Sequence, residues 1–383
     1  MFTDNQDIAV FLLVVALRVI VPLFIPRYPL PAILVCLVVD GFDKGILQSY
    51  TNMNLDFYQG YDKALDIYYQ TIAFLSTMRN WSSAAAFAVG RFVFYYRLVG
   101  VVFFELLHAR WMLFVFPNTF EYFFIFYEFV RLRWNPRRWG LTFWAGACAF
   151  IWVVIKLPQE WWIHIAQLDA TDFIRDEILV RERWPLQIAI LLVIVALAFG
   201  LRWFIQDVLG KADWPLTFDA NAPGRDIVVI PDKATTVARP NRIFTVELAE
   251  KIVMFSLISI IFAQILPGVH VRPLYTTLAV ATLLVLNLVV SELLARLGTD
   301  FGSAVRQFVI MAVVNGAIVW VVNQVALGGR DLSLGNTLFF VLLISLLITF
   351  YDRYRPLYKD RVAELDREFL DEATSLVRGG SRP

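Results

Sequence analysis

The sequence predicts an all-α protein: a polytopic integral membrane helix bundle of about eleven transmembrane helices, N-terminus outside and C-terminus in the cytoplasm. Three observations carry this reading. The 383 residues are 59% hydrophobic and 17% charged, against about 45–50% and about 25% in soluble domains. Apolar runs long enough to cross a bilayer recur along the whole chain. Lys and Arg gather in alternate connections between those runs.

A helix needs roughly 20 mostly apolar residues to cross about 30 Å of hydrocarbon. That rule places spans at 7–25, 30–48, 62–79, 91–108, 112–130, 139–156, 186–205, 249–267, 274–295, 305–327 and 334–351. The first is read as a retained helix and not a cleaved signal, because MFTDNQD is acidic where a signal needs a basic start and no small-residue cleavage site follows. The second and third carry several charges, and Gly41 and Gly45 on the second form a small-xxx-small pair suited to close helix approach. The fourth has an alanine run, Ala84–Ala88, just before it. The fifth contains Pro117-Asn118, a kink whose freed carbonyls are tolerable only beside protein or water. The last six are nearly clean.

Loop charge sets the orientation. With the N-terminus outside, cytoplasmic segments hold 23 Lys/Arg and external ones 9, the bias expected across a membrane. The strongest markers are Arg131, Arg133, Arg137 and Arg138 in one short loop, and Arg353, Arg355, Lys359 and Arg361 after the last span. The expected location is therefore the plasma membrane, as a multi-pass protein.

The chain divides by composition. Residues 1–135 form a polar five-helix membrane unit, and 139–156 and 186–205 are linking spans. Between them, 157–185 is an external amphipathic interfacial loop with Trp161 and Trp162 at headgroup depth. Residues 206–246 are a small cytoplasmic insertion with one β-like run at 226–230. Residues 249–351 form an apolar four-helix unit, and 352–383 a cytoplasmic tail helix. Cys36 and Cys148 have neither pairing nor ligand spacing and are expected as reduced packing residues. A net charge of +1 and the lack of a basic block exclude nucleic acid as a partner.

Ionisable side chains inside spans are costly and face protein interior or water, so they mark where function would lie. Asp40 and Asp43 are i,i+3 and Asp62 and Asp66 are i,i+4, so each pair shares a helix face. With Glu105 they form an expected outer acidic tier, which also holds Lys44, Lys63 and His108. Beneath it, Arg91 and Arg97 pair with Glu121 and Glu128, one of which is the natural partner of Arg97. The four aspartates, Glu105, Arg97, Glu121 and Glu128 are the expected substrate or ion site. Asp40, Asp43, Asp62 and Asp66 are the expected metal ligands, since converging carboxylate oxygens suit a divalent cation. No other cofactor is expected. His108 reads as an interfacial residue, and three scattered His exclude a His-built zinc site. Asn and Gln in the last spans are expected to bond neighbouring helices.

The pattern Asp40-x-x-Asp43 followed by Asp62-x-x-x-Asp66 resembles the paired-aspartate signature of CDP-alcohol phosphotransferases. In that family, four aspartates from two adjacent helices bind two divalent metals and a CDP-linked lipid. The likeness covers about 30 residues and stops at the aspartates. Lys44 stands where the family has Gly, Ile46-Leu47-Gln48-Ser49 replaces its Ala-Arg pair, and Gly60 is displaced from the expected Gly. Loop charge also puts this pair outside, whereas a CDP-linked substrate is cytosolic.

No phosphate loop, dinucleotide fingerprint, GxSxG, HExxH or CxxC occurs, which argues against a fused nucleotide-driven motor or a hydrolase domain and says little about intramembrane chemistry; an enzyme is the less expected class. The first function expected is a transporter or channel-like protein for a cation or small polar solute, through the polar site of the N-terminal helices. The alternatives are an intramembrane enzyme acting on a lipid headgroup with an aspartate-held divalent metal, and a non-catalytic subunit or assembly factor. The bilayer is the expected partner, with a lipid ligand or a second copy of the chain as specific ones.

Overall fold

The computed structural model describes residues 5–51, 58–166, 184–221, 246–265, 273–296, 303–326 and 334–379. Among them all regular structure is helical and no strand occurs. The β-like run at 226–230 and residues 167–183 of the interfacial loop lie outside the described residues.

The helices are α1 (Asn5–Ile20), α2 (Pro29–Tyr50), α3 (Tyr58–Asn80), α4 (Ala84–Leu107), α5 (Trp111–Val115), α6 (Thr119–Arg131) and α7 (Leu141–Phe150). Then follow α8 (Leu157–Glu160), α9 (Trp184–Trp203), α10 (Val246–Ile265), α11 (Pro273–Arg296), α12 (Ala304–Ala326) and α13 (Leu334–Gly379). Among the described residues, six segments are long and apolar enough, as helices, to cross a bilayer: Asp7–Phe24, Ala84–Leu107, Leu141–Ile163, Gln187–Leu209, Ala304–Val321 and Thr337–Arg361. The clearest is Gln187–Leu209, which exposes apolar side chains on every face. A helix apolar all round needs a hydrocarbon environment.

Two compact units form. One comprises residues 1–87 and 219–383, the other residues 88–218. In the first, α3 is the hub, packing against α1, α2, α10 and α13. Its buried residues include Ile72, Phe74, Leu75 and Met78, but also Gln70, Thr71, Ser76, Thr77 and Asn80. The hydroxyls are satisfied locally: Thr71 donates to the Ile67 carbonyl at 2.6 Å, Ser76 to Ala73 at 2.7 Å and Thr77 to Phe74 at 2.6 Å. Such back-bonding lets a polar helix be buried without unpaired groups.

Helix α13 runs 46 residues, so the predicted last span and tail helix are one element. Pro356 lies inside it. A proline costs a helix interior about 3 kcal/mol, and packing on either side offsets that. Lys251 bridges to Asp352 at 2.6 Å and Arg355 to Glu250 at 2.9 Å, tying α10 to α13 just ahead of the proline. Five residues on, buried Arg361 donates to the carbonyls of Arg79 and Trp81 at the end of α3. A cation there satisfies orphan carbonyls and complements the helix dipole. Arg355 and Arg361, predicted as loop charges, are thus packing partners. Arg361→Met is expected to lower stability by about 2–3 kcal/mol, read as a drop in the thermal midpoint of the detergent-purified protein.

Helices α11, α12 and α13 are stitched by a buried chain. Asn287 Nδ2 donates to Asn315 Oδ1 at 2.9 Å, and Asn315 Nδ2 to Ser345 Oγ at 2.9 Å. This is the helix-bonding role expected of lone amides in spans. A Cβ added at Gly41 or Gly45 would meet nothing within 4 Å, so no described helix uses that small-residue pair. Cys36 and Cys148 are free and buried.

In the second unit, α7 continues through a π-helical turn at Ile151–Lys156 into α8, and a second π turn follows at Trp161–Ile165. Pro158 supplies the reason, since its ring clashes with the carbonyl four residues back and removes a donor. The ladder widens instead, with the Leu157 N–H reaching the Trp152 carbonyl. The short arginine-rich loop after α6 is anchored to residues 210–214. Asp213 N–H donates to the Arg133 carbonyl at 2.8 Å, and the indole N–H of Trp134 to the Gly210 carbonyl at 3.0 Å.

Candidate functional site

Arg18 is the only charge in the apolar heart of α1, one turn before a proline. Pro22 cannot donate into the helix, so α1 tightens into a 3-10 turn at Val21–Phe24. The Val19 carbonyl near this end accepts instead from the Tyr68 hydroxyl of α3 at 3.0 Å. That bond and the short link to α2 hold α1 against both neighbours, with Arg18 turned toward them.

The four predicted aspartates converge on this guanidinium. One terminal nitrogen donates to Asp43 and, at 2.6 Å, to Asp62. The other donates to Asp40 and to Asp66, each at 2.5 Å. Asp40 and Asp43 come from α2, Asp62 and Asp66 from α3, at the i,i+3 and i,i+4 spacings that share a face. A guanidinium carries five N–H donors in a planar fork, which is why one side chain can serve four carboxylates from two helices.

The arrangement is asymmetric in access and in charge. The side chains of Arg18 and Asp43 are 3% and 2% exposed, while Asp40, Asp62 and Asp66 are 28%, 38% and 28% exposed. One oxygen from each of these three lies within 4.8 Å of the others. Four carboxylates face one guanidinium, with Lys63 acting on Asp62 from alongside, so the fully ionised cluster stays net negative. On the side nearer the end of α2, Val14 and Leu47 pack together with Val10 and Phe11 behind them. Beside Arg18, a small cleft is lined by Leu17, Val21, Pro22, Cys36, Val39 and Tyr69.

The other expected site residues belong to residues 88–218. Glu105 is buried on α4. The helix ends just beyond it, where the His108 N–H closes on the Phe104 carbonyl at 2.8 Å and His108 takes a φ of 52°. His108 is therefore part of a helix stop. The expected pairing of Arg97 with Glu121 or Glu128 is not the one formed. Arg97 donates to the Phe116 carbonyl at 2.8 Å, Glu128 pairs with Arg131 at 2.9 Å, and Glu121 accepts from Asn118 Nδ2 at 2.8 Å.

The reason is Pro117. It does more than kink the predicted fifth span, dividing it into α5 and α6. The carbonyls this frees must find donors, and Arg97 takes one while the Tyr96 hydroxyl takes that of Val115 at 3.0 Å. Gly100, one turn beyond Tyr96 on α4, makes room: a Cβ there would sit 2.0 Å from the Cβ of Phe116.

Sequence reasoning found the four aspartates and missed Arg18, the residue that organises them. Its signal was present: a lone cation in an otherwise apolar span requires an internal partner. Comparison with protein-family models, curated proteins and solved structures finds no match for this chain.

Proposed function

We propose that this is a plasma-membrane transporter or channel-like protein for a cation or small polar solute, with its binding centre at Arg18, Asp40, Asp43, Asp62 and Asp66. One observation carries the reading. A buried guanidinium is shared by four carboxylates on two other helices, which leaves the centre net negative even with Lys63 beside Asp62. Such a centre attracts a mobile cation or protons, and Arg18 is a tethered cation for it to compete with. Competition for the same oxygens changes how α1 is held to α2 and α3, the coupling a carrier needs. The Val14–Leu47 layer supports the reading by closing one side with apolar contacts. Eleven spans with the N-terminus outside, and a polar N-terminal unit beside an apolar C-terminal one, belong to this proposal.

In proteoliposomes, flux of monovalent cations, divalent cations and protons is compared between the wild type and Asp66→Asn. At least a tenfold loss for one of them in the variant is expected. Equal flux in the variant, or no wild-type flux above empty liposomes, removes the proposal.

A second reading rests on the three oxygens of Asp40, Asp62 and Asp66, which would hold a divalent metal in an intramembrane enzyme acting on a lipid headgroup. Hard divalent cations take carboxylate oxygens, but Arg18 already holds these. Spin resonance of the protein titrated with Mn²⁺ distinguishes the two: tight binding abolished by Asp62→Asn favours the enzyme.

A further inference from the structure

We propose a second site, independent of the first: a hard monovalent cation of the sodium class held at the Pro117 break between α5 and α6. The break gathers buried polar side chains within residues 88–218. Asn118 presents its backbone N–H to Glu160 Oε1 at 3.1 Å and its Nδ2 to Glu121 Oε2 at 2.8 Å. Both carboxylates are buried, Glu160 at 5% and Glu121 at 4% exposed. Gln159 is hydrogen-bonded to the Tyr122 hydroxyl, and the ammonium of buried Lys156 lies 3.9 Å from the centroid of the Tyr122 ring. The π turn ahead of Pro158 delivers Lys156 and Glu160 to this place, as such turns often do at functional sites.

Three side-chain oxygens here are buried and have no hydrogen-bond partner among the described residues: Asn118 Oδ1, Thr119 Oγ1 and Gln159 Oε1. Asn118 is 9% and Thr119 1% exposed. Reversing the Asn118 amide would not help, because it would turn the oxygen onto the Glu121 carboxylate. Buried polar atoms left unpaired cost about 1–3 kcal/mol each, so two on consecutive residues at a helix break point to a ligand.

The chemistry of the donors selects its class. An amide oxygen only accepts, and two carboxylates stand beside it, so an anion at the start of α6 is excluded despite the helix dipole. An oxygen-ligated cation fits the amide, the hydroxyl and a carboxylate. Its charge follows from the neighbours: buried Lys156 beside the Tyr122 ring stands against two buried carboxylates, Glu121 and Glu160, which leaves one negative charge for a monovalent ion to balance. Irregular backbone lining a polar cavity in a broken membrane helix is where such ions are held in carriers.

Binding of radioactive sodium to the purified full-length protein in nanodiscs tests this, with choline holding ionic strength constant. The wild type is expected to bind saturably. Thr119→Val, which keeps the shape and removes the hydroxyl, is expected to weaken binding about tenfold or more, a loss typical of one buried ligand, while Thr119→Ser keeps it. Glu160→Gln is expected to give the same loss and serves if Thr119→Val does not fold. Asp207→Asn, an exposed carboxylate outside both sites, is expected to keep binding. Absence of saturable wild-type binding, wild-type affinity in both Thr119→Val and Glu160→Gln, or an equal loss in Asp207→Asn overturns the proposal.

Discussion

Replacing Arg18 with methionine is expected to destabilise the protein by about 3–5 kcal/mol, the loss seen when one member of a buried ion cluster is removed. Methionine matches much of the side-chain volume, so the effect reports charge and hydrogen bonds more than packing. Four carboxylates lose a donor at once, and Asp43, 2% exposed, has no solvent to replace it. The thermal midpoint of the purified protein measures the loss. Adding Asp43→Asn to the methionine variant is expected to recover part of it, because the deepest unpaired charge is then gone. Arg18→Lys is expected to fall between, since an ammonium cannot reach four carboxylates with two separated nitrogens. By contrast, Arg18→Met and Arg361→Met share no partner and are expected to add within about 0.5 kcal/mol. A wild-type midpoint in Arg18→Met would mean that the aspartates do not depend on this guanidinium.

Gly100→Ala is expected to cost about 3 kcal/mol, at the upper end for an added methyl in a packed interior. The new carbon would lie 2.0 Å from Phe116 Cβ and 2.4 Å from Cγ. A Cβ cannot swing aside as a side-chain tip can, so either α4 or the break must move. Movement there pulls the Phe116 carbonyl from Arg97 and the Val115 carbonyl from Tyr96. The double variant Gly100→Ala with Phe116→Gly is expected to be more stable than Gly100→Ala alone, as the clashing carbon is absent. The same unfolding measurement decides it, and a stability equal to wild type in Gly100→Ala would show that this approach is not tight.

Much of the architecture was legible because it follows from local rules. Composition and run length mark a helical membrane protein, since a chain in hydrocarbon must satisfy its own backbone. The aspartate spacings place two pairs on two faces, and that holds for any continuous helix. Asn287 and Asn315 read as helix-bonding amides, which they are. The partners were less legible. Arg97 looked bound for a carboxylate at matching depth, yet a backbone carbonyl freed by Pro117 lay closer. Arg355 and Arg361 looked like loop charges, until α10 and α3 supplied partners for them.

The sequence by itself determined the class of the protein, the helices that carry charge and the faces on which the aspartates lie. These depend on residue type and on periodicities of a few residues. Only the tertiary structure decided that Arg18 is the centre of the aspartate cluster, that α3 is the buried hub, and that the fifth span is broken. Arg18 is 22 residues from Asp40 and 48 from Asp66, and nothing in local periodicity links such distances. A buried cation takes whichever carboxylates the packing of α1, α2 and α3 brings within hydrogen-bond reach, and that is a property of the assembled helices.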